Sequence, residues 1–312
     1  MPQAILIAGP TASGKSAAAL ALAERMGGTI VNADSMQVYR ELSVLTARPR
    51  DADLKRAPHR LYGVVPAATA YSVGAWLQDV SRALDEARQE GRVQILVGGT
   101  GLYFKALLEG LAPVPDVPRE IREAWRARTA KSDSEALHRE LAARDPAMAA
   151  RIRPSDTQRI VRALEVIDGT GVSLLEWQGA AAAPVIESQQ VLKLVIAPER
   201  DQIHRAIDAR FDAMIEQGAV EEARALLALR LDPGLPAMRA HGVRELAAYL
   251  AGASTLQEAA VRAKTESRRY AKRQMTWLRR FMQDWDWFPD AAAVPSADLS
   301  FPRKRECSNH LS

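Results

Sequence analysis

The chain opens on Ala4-Ile5-Leu6-Ile7-Ala8, five apolar residues without helical period, followed directly by Gly9-Pro10-Thr11-Ala12-Ser13-Gly14-Lys15-Ser16 and an alanine- and leucine-rich stretch to Met26. A short unbroken apolar run bounded by glycine reads as a buried strand, and the stretch from Ala17 to Met26 as a helix. The pattern recurs at Thr29-Ile30-Val31-Asn32-Ala33, which ends at Asp34, and at Val93-Gln94-Ile95-Leu96-Val97, which ends at Gly98-Gly99-Thr100-Gly101. A helical segment from Val73 to Gln89 lies between the last two. Buried runs separated by helices predict a parallel sheet wrapped by helices, with ligands at the carboxyl ends of the strands.

From Pro113 the texture changes. Pro113-Val114-Pro115-Asp116-Val117-Pro118 punctuates the chain, and charged helical segments without a convincing strand follow to about Gly179. Val191 to Ile196, ended by Pro198, reads as one more strand, and Gln202 to Trp287 as helix. The expected organisation is an α/β core from 1–112 and 191–288, an all-helical insertion at 113–190, and a loose alanine-, proline- and serine-rich tail at 289–312. No internal repeat is present.

Composition narrows the class. The 312 residues are 47% hydrophobic and 26% charged, enough for a sizeable core. No apolar run approaches the ~18 residues of a membrane helix, and no charged-then-apolar leader precedes Ala4. One cysteine, Cys307, excludes an internal disulfide framework and a thiolate metal cluster, so a protein of the reducing cytoplasm is expected. The net charge is +4, and the pI of about 9.3 makes an anionic partner worth seeking if the positive charge is clustered.

The loop Gly9 to Ser16 matches G-x-x-x-x-G-K-[ST] completely and stands between a strand and a helix, the context that a phosphate-binding P-loop requires. Its backbone N–H groups form a positive concavity for phosphate oxygens; Lys15 adds a point charge, and the Ser16 hydroxyl can ligate Mg²⁺. The fold expected is therefore α/β and P-loop NTPase-like. Asp34, at the end of the second strand, can hold Mg²⁺ through water, accept a proton from a nucleophile, or simply cap the next helix. Gly98-Gly99-Thr100-Gly101 allows close backbone approach and offers a hydroxyl, although a plain tight turn has the same composition.

Basic residues cluster further on. In Arg151 to Glu165, Pro154 and the pair Ser155-Asp156 start a helix on which Gln158 and Arg162 lie four apart beside Arg159, a face suited to bases and phosphates but equally to solvent. The helix from Arg262 to Arg280 sets Arg262, Lys264, Arg268, Arg269, Lys272, Arg273, Arg279 and Arg280 against Glu266 alone, which fits a nucleic-acid backbone. Tyr270, Trp277 and Phe281 recur there at helical spacing and are expected to anchor the helix to the core. His241 reads equally as structural or functional.

Taken together, Gly9 to Ser16, Asp34-Ser35-Met36-Gln37-Val38-Tyr39, Thr46-Ala47-Arg48-Pro49, Pro58-His59, Gly98 to Tyr103, Gln158-Arg159 and Ala271-Lys272-Arg273-Gln274 before Trp277 closely resemble the tRNA dimethylallyltransferase (isopentenyltransferase) family, in order, over residues 4 to 288. The resemblance implies transfer of a dimethylallyl group from dimethylallyl diphosphate to N6 of the adenine at tRNA position 37, with Mg²⁺. It implies that Gly9, Pro10, Thr11, Ala12, Ser13, Gly14, Lys15 and Ser16 hold the diphosphate, with Ser16 on the metal. Asp34 would be the general base, with Thr100 and Arg122 assisting. Contacts with the tRNA anticodon stem-loop would fall on Asp34, Ser35, Met36 and Gln37, on Gln158, Arg159, Ile160, Val161 and Arg162, and on Arg239, Ala240, His241, Gly242, Val243 and Arg244. A monomer without membrane partners is expected. Two departures from the family pattern are Leu45, in place of a common glycine, and Val243, in place of a common tyrosine. A small-molecule or nucleotide kinase shares the P-loop opening and the same three side chains, and an RNA-stimulated NTPase is a second rival.

Overall fold

The computed structural model describes residues 4–180 and 182–295. Six parallel strands make one sheet: β1 (Ala4–Ala8), β2 (Thr29–Asn32), β3 (His59–Arg60), β4 (Gln94–Gly98), β5 (Val191–Ile196) and β6 (Asp286–Phe288), in the order β3-β2-β4-β1-β5-β6. β1 is flanked on both sides, with Ile5 in register with Ile95 of β4 and Leu192 of β5.

The unbroken apolar runs are explained by burial on both faces. Leu6, Val31, Leu96 and Val195 join one cluster with helices α3 (Val73–Gln89), α4 (Gly101–Glu109) and α13 (Leu256–Phe281). Their neighbours Ile5, Ile7, Ile95 and Leu194 join a second cluster with α1 (Lys15–Met26). A third cluster packs Val38, Leu42 and Leu45, which precede the short helix α2 (Asp51–Leu54), against α10 (Arg200–Glu216), α11 (Ala219–Ala228), α12 (Val243–Leu250) and the start of α13. The long helix α13 begins at a capping box, where Thr255 accepts from the Glu258 N–H and the Glu258 carboxylate accepts from the Thr255 N–H.

The chain divides into two compact units, one formed by residues 1–108 with 185–312 and the other by Glu109–Pro184. The second unit is all-helical: α5 (Arg119–Thr129), α6 (Ser134–Arg144), α7 (Pro146–Ala149), α8 (Thr157–Thr170) and α9 (Leu174–Gly179) enclose Trp125, Leu137, Leu141, Ile160 and Leu164. Trp125 donates Nε1–H to Asp168 at 2.6 Å. Asp156 caps α8 by accepting from the Arg159 N–H, as the Pro154-Ser155-Asp156 start predicts.

Four boundaries differ from expectation. The insertion begins at 109, not 113. The insertion ends at 184, not 190, because Val185 donates its N–H to the Leu107 carbonyl at 2.9 Å and Ile186 is buried in the sheet core. The expected helix through Trp287 stops at Phe281, and Asp286–Phe288 adds an edge strand whose Phe288 carbonyl accepts from the Ala197 N–H. The segment expected to be loose from 289 still packs at Val294, which is buried with the α1 cluster; Arg303-Lys304-Arg305 and Cys307 lie outside the described residues.

Candidate active site

Three strand ends build the site. The loop after β1 runs into α1, the turn after β2 carries Asp34, and the turn after β4 carries Gly99 and Thr100. Asp34 does not cap a helix. Its Oδ1 accepts from the Met36 N–H at 2.9 Å in a local turn, and its own N–H donates to Asn32 Oδ1. Asn32 in turn donates to the Leu61 and Asp34 carbonyls, so a fully buried polar residue holds the Asp34 backbone. Thr100 Oγ1 accepts from the Ser35 N–H at 2.9 Å and ties the second turn to the third.

Gln274 of α13 joins the first turn to the third. Buried, it accepts from the Thr11 N–H through Oε1 and donates Nε2–H to the Gly99 carbonyl, both at 2.9 Å. A Cβ at position 99 would stand 2.3 Å from Gln274 Nε2, so glycine there is what admits the clamp. Truncation in Gln274→Ala strands one N–H and one carbonyl; we expect a loss of about 2–4 kcal/mol, read from denaturant midpoints, together with a raised KM for the phosphate-bearing substrate. Unchanged stability and KM would remove the clamp from the architecture of the site.

These turns open onto a cleft whose wall includes Thr11, Asp34, Arg210, His241 and Tyr270 beside the apolar Leu45, Ile207, Phe211 and Met214. A wider groove, lined by Ser16, Arg48, Arg50 and Arg56, shares Arg210 and Met214 with it. Arg210, from α10, donates to Thr11 Oγ1, and Lys15 Nζ lies 3.0 Å from the Pro10 carbonyl. Burial lowers the Lys15 ammonium to about 8, against the pull of Asp34 and with help from Arg210; burial likewise lowers Arg210, against Asp34. His241, its ring 4.5 Å from that of Tyr270, is lowered by burial and then by Arg273, while burial raises the Tyr270 phenol. Two desolvated cations facing one carboxylate form a site short of one negative charge.

A family model described as IPP transferase matches residues 37–281, and one described as isopentenyl transferase matches residues 2–67. The chain belongs to the IPP transferase family. It is 53% identical over 292 residues to a tRNA dimethylallyltransferase of Rhodopseudomonas palustris, covering 93% of this chain and 92% of that protein. A tRNA dimethylallyltransferase of Chelativorans is 53% identical over 92% of this chain and 98% of its own. The fold is similar to a crystal structure of a tRNA isopentenylpyrophosphate transferase from Bacillus halodurans, at 32% identity and TM-score 0.66 over 93% and 90% of the two chains. It is also similar to a eukaryotic dimethylallyltransferase acting on tRNA, at 25% identity and TM-score 0.78 over 92% and 73%. Membership in this family removes the kinase and NTPase readings.

The expected site residues of this family member fall into groups. Gly9 to Ser16, Asp34 to Gln37, Thr100 and His241 come together at the strand ends, but Gln37 donates its amide to the Thr46 and Ala47 carbonyls and thus holds a loop. Ala240, Gly242 and Val243 are buried, which leaves Arg239, His241 and Arg244 as the accessible members of that segment. Arg122, Gln158, Arg159 and Arg162 stand on the surface of the second unit, whereas Ile160 is fully buried in its core and offers no side chain to a ligand.

The basic helix is less basic than its sequence count. Lys264 pairs with Asp212 and Arg268 with Asp208, both acids of α10, and Arg269 pairs with Glu266. Arg262, Lys272, Arg273, Arg279 and Arg280 remain without an acidic partner at ion-pair distance among the described residues. Of the three aromatics expected to anchor this helix, Trp277 packs on the sheet core, Tyr270 lines the cleft and Phe281 is 40% exposed. The sequence does not mark Arg210 or Gln274 as site residues, because one arginine or glutamine on an amphipathic helix carries no local signal; Gln274 falls only within the family-like string Ala271 to Gln274.

Proposed function

We propose that the protein transfers a dimethylallyl group from dimethylallyl diphosphate to N6 of adenine 37, beside the anticodon of tRNA, in the cytoplasm. The observation that carries this reading is one cleft lined by a carboxylate, Asp34, and a cation, Arg210, together with the apolar Leu45, Ile207, Phe211 and Met214, with the Lys15 ammonium near enough to feel both charges. That arrangement suits a donor that is anionic at one end and hydrocarbon at the other. No helix among the described residues is long and apolar enough to cross a membrane.

In the reaction, N6 attacks C1 of the donor as the bond from C1 to the diphosphate oxygen breaks. The exocyclic amine is a weak nucleophile because its lone pair is delocalised into the ring, so Asp34 accepts the N6 proton as the N6–C1 bond forms. Diphosphate leaves with the pair of electrons, and the loop N–H groups, Lys15 and Arg210 stabilise its growing charge. The donor set also suits Mg²⁺: an exposed Ser16 hydroxyl and one carboxylate, without a larger acidic cluster among the described residues, match an ion that takes few protein ligands and completes its shell with phosphate oxygens and water. When bound, Mg²⁺ would add charge neutralisation on the diphosphate. Arg159, Arg162, Arg239 and Arg244 are the exposed or half-exposed cations assigned to the tRNA backbone.

The deciding experiment combines purified protein, dimethylallyl diphosphate, Mg²⁺ and an unmodified anticodon stem-loop. One prenyl group per RNA by mass spectrometry is expected; ATP turnover without prenylated RNA, from a folded preparation tried on several tRNAs, would overturn the proposal. A pH dependence follows from Lys15. Because its ammonium is lowered to about 8, it loses its charge as pH rises through that value, and kcat/KM for the donor should fall above it, by up to about tenfold per pH unit. Lys15→Arg keeps its charge and should give a lower but flat profile there. A wild-type profile that stays level through the same range would exclude Lys15 from donor binding.

A further inference from the structure

We infer that Glu222 is a positioning residue for the proposed transfer: through the loop from Ser43 to Ala47, and through Gln37 beyond it, this one carboxylate holds the turn that carries Asp34. The inference rests on the dimethylallyl reading and adds what keeps its base in place. The loop stands between two openings. Leu45 and Thr46 line the cleft with Asp34 and Arg210, while Ser43, Val44 and Ala47 line the wider groove with Ser16.

One half of the loop is tied to α11. Glu222, in the first turn of that helix, accepts through Oε2 from the Ser43 N–H at 2.7 Å and from the Ser43 hydroxyl and the Val44 N–H, both at 2.8 Å. Its Oε1 accepts from the Leu45 N–H at 2.8 Å. A carboxylate accepts at both ends, whereas an amide in its place would turn an NH2 group toward a backbone N–H.

The other half is tied to the Asp34 turn. Gln37 donates its amide to the Thr46 carbonyl at 2.8 Å and to the Ala47 carbonyl at 3.2 Å. Gln37 follows Met36, whose N–H donates to Asp34 Oδ1, and its own carbonyl accepts from the Gly63 N–H at 3.0 Å. Ala47 has a φ of +52°, a left-handed conformation that a residue with a Cβ keeps only where its surroundings impose it. Glu222 and Gln37 supply that constraint, one on the N–H groups of the loop and the other on its carbonyls. Glu222 need not touch substrate for this to matter, because misplacing a reacting group by about 1 Å costs on the order of a hundredfold in rate.

The test measures single-turnover prenyl transfer at saturating dimethylallyl diphosphate and anticodon stem-loop, together with RNA affinity and Tm, for Glu222→Gln, Gln37→Met and the double variant. Each single variant should lose about tenfold or more in rate, with RNA affinity within a few-fold of wild type. Because both act through one loop, the double variant should lose little more than the worse single one, not the product of the two. A folded Glu222→Gln protein with lowered Tm and a wild-type rate makes Glu222 structural only and overturns the inference. Losses that multiply, or a Gln37→Met protein that loses RNA affinity yet keeps its rate at saturation, overturn the link through Gln37. If Glu222→Gln does not fold, Ser43→Ala, which removes one of the four bonds, replaces it in the same cycle with a smaller loss expected, and a wild-type rate there overturns the inference. If wild type transfers no prenyl group, the dimethylallyl reading itself fails. Hydrogen exchange then reads the link alone: amides at 35–37 and 43–45 should quicken together in the Glu222 or Ser43 variant, and quickening confined to 43–45 overturns it.

Discussion

Asn in place of Asp34 should cut the single-turnover rate of prenyl transfer by about 10²–10⁴-fold while leaving affinity for the anticodon stem-loop within a few-fold of wild type. Asparagine is the informative replacement because its side-chain oxygen can still accept from the Met36 N–H, the contact that Asp34 Oδ1 makes at 2.9 Å, so the turn after β2 keeps its shape. What is lost is the group that can take the N6 proton. It also removes the negative charge facing Lys15 and Arg210, so donor affinity should hold or rise, separating the chemical step from binding. Transfer at the wild-type rate in Asp34→Asn would end the case for Asp34 as the base. A proportional loss of tRNA binding would assign it to recognition instead.

Arg210→Gln should lower kcat/KM for the donor by about 10²–10³-fold, the scale of losing one preorganised partner of a developing anion. It should not lower Tm in the absence of donor. Arg210 is desolvated, lies beside the equally desolvated Lys15, and faces the single carboxylate Asp34, so in the free protein its charge is under-compensated and costs stability. The departing diphosphate supplies the missing negative charge. Calorimetry with and without inorganic diphosphate reads the two effects apart: wild type should gain more in Tm on adding diphosphate than the variant does. A variant that is destabilised when free, yet transfers at the wild-type rate, would make Arg210 a structural residue.

How legible the site was depended on how local each signal is. The loop from Gly9 to Ser16 and the burial of β1, β2, β4 and β5 could be read directly, because phosphate cradles and doubly covered strands impose their pattern on consecutive residues. β3 and β6 could not: two and three residues are too few to show a period, and they pair only because longer strands beside them offer free edges. The charge count on α13 misled for a related reason. Asp208 and Asp212, which neutralise Arg268 and Lys264, lie on another helix more than 50 residues earlier in the chain.

By itself the amino-acid sequence determined the parallel sheet, the phosphate loop, the position of Asp34 at a strand end and the resemblance that led to the family. Each rests on neighbours in the chain or on strings of conventional spacing. Only the tertiary structure decided that Gln274 joins Thr11 to Gly99, that Arg210 donates to Thr11 of the phosphate loop, that Glu222 holds the loop at Leu45, and that Ile160 is core and not contact surface. Those pairings span from tens to hundreds of residues, and their energy comes from desolvation and hydrogen bonds that exist only once the helices have packed.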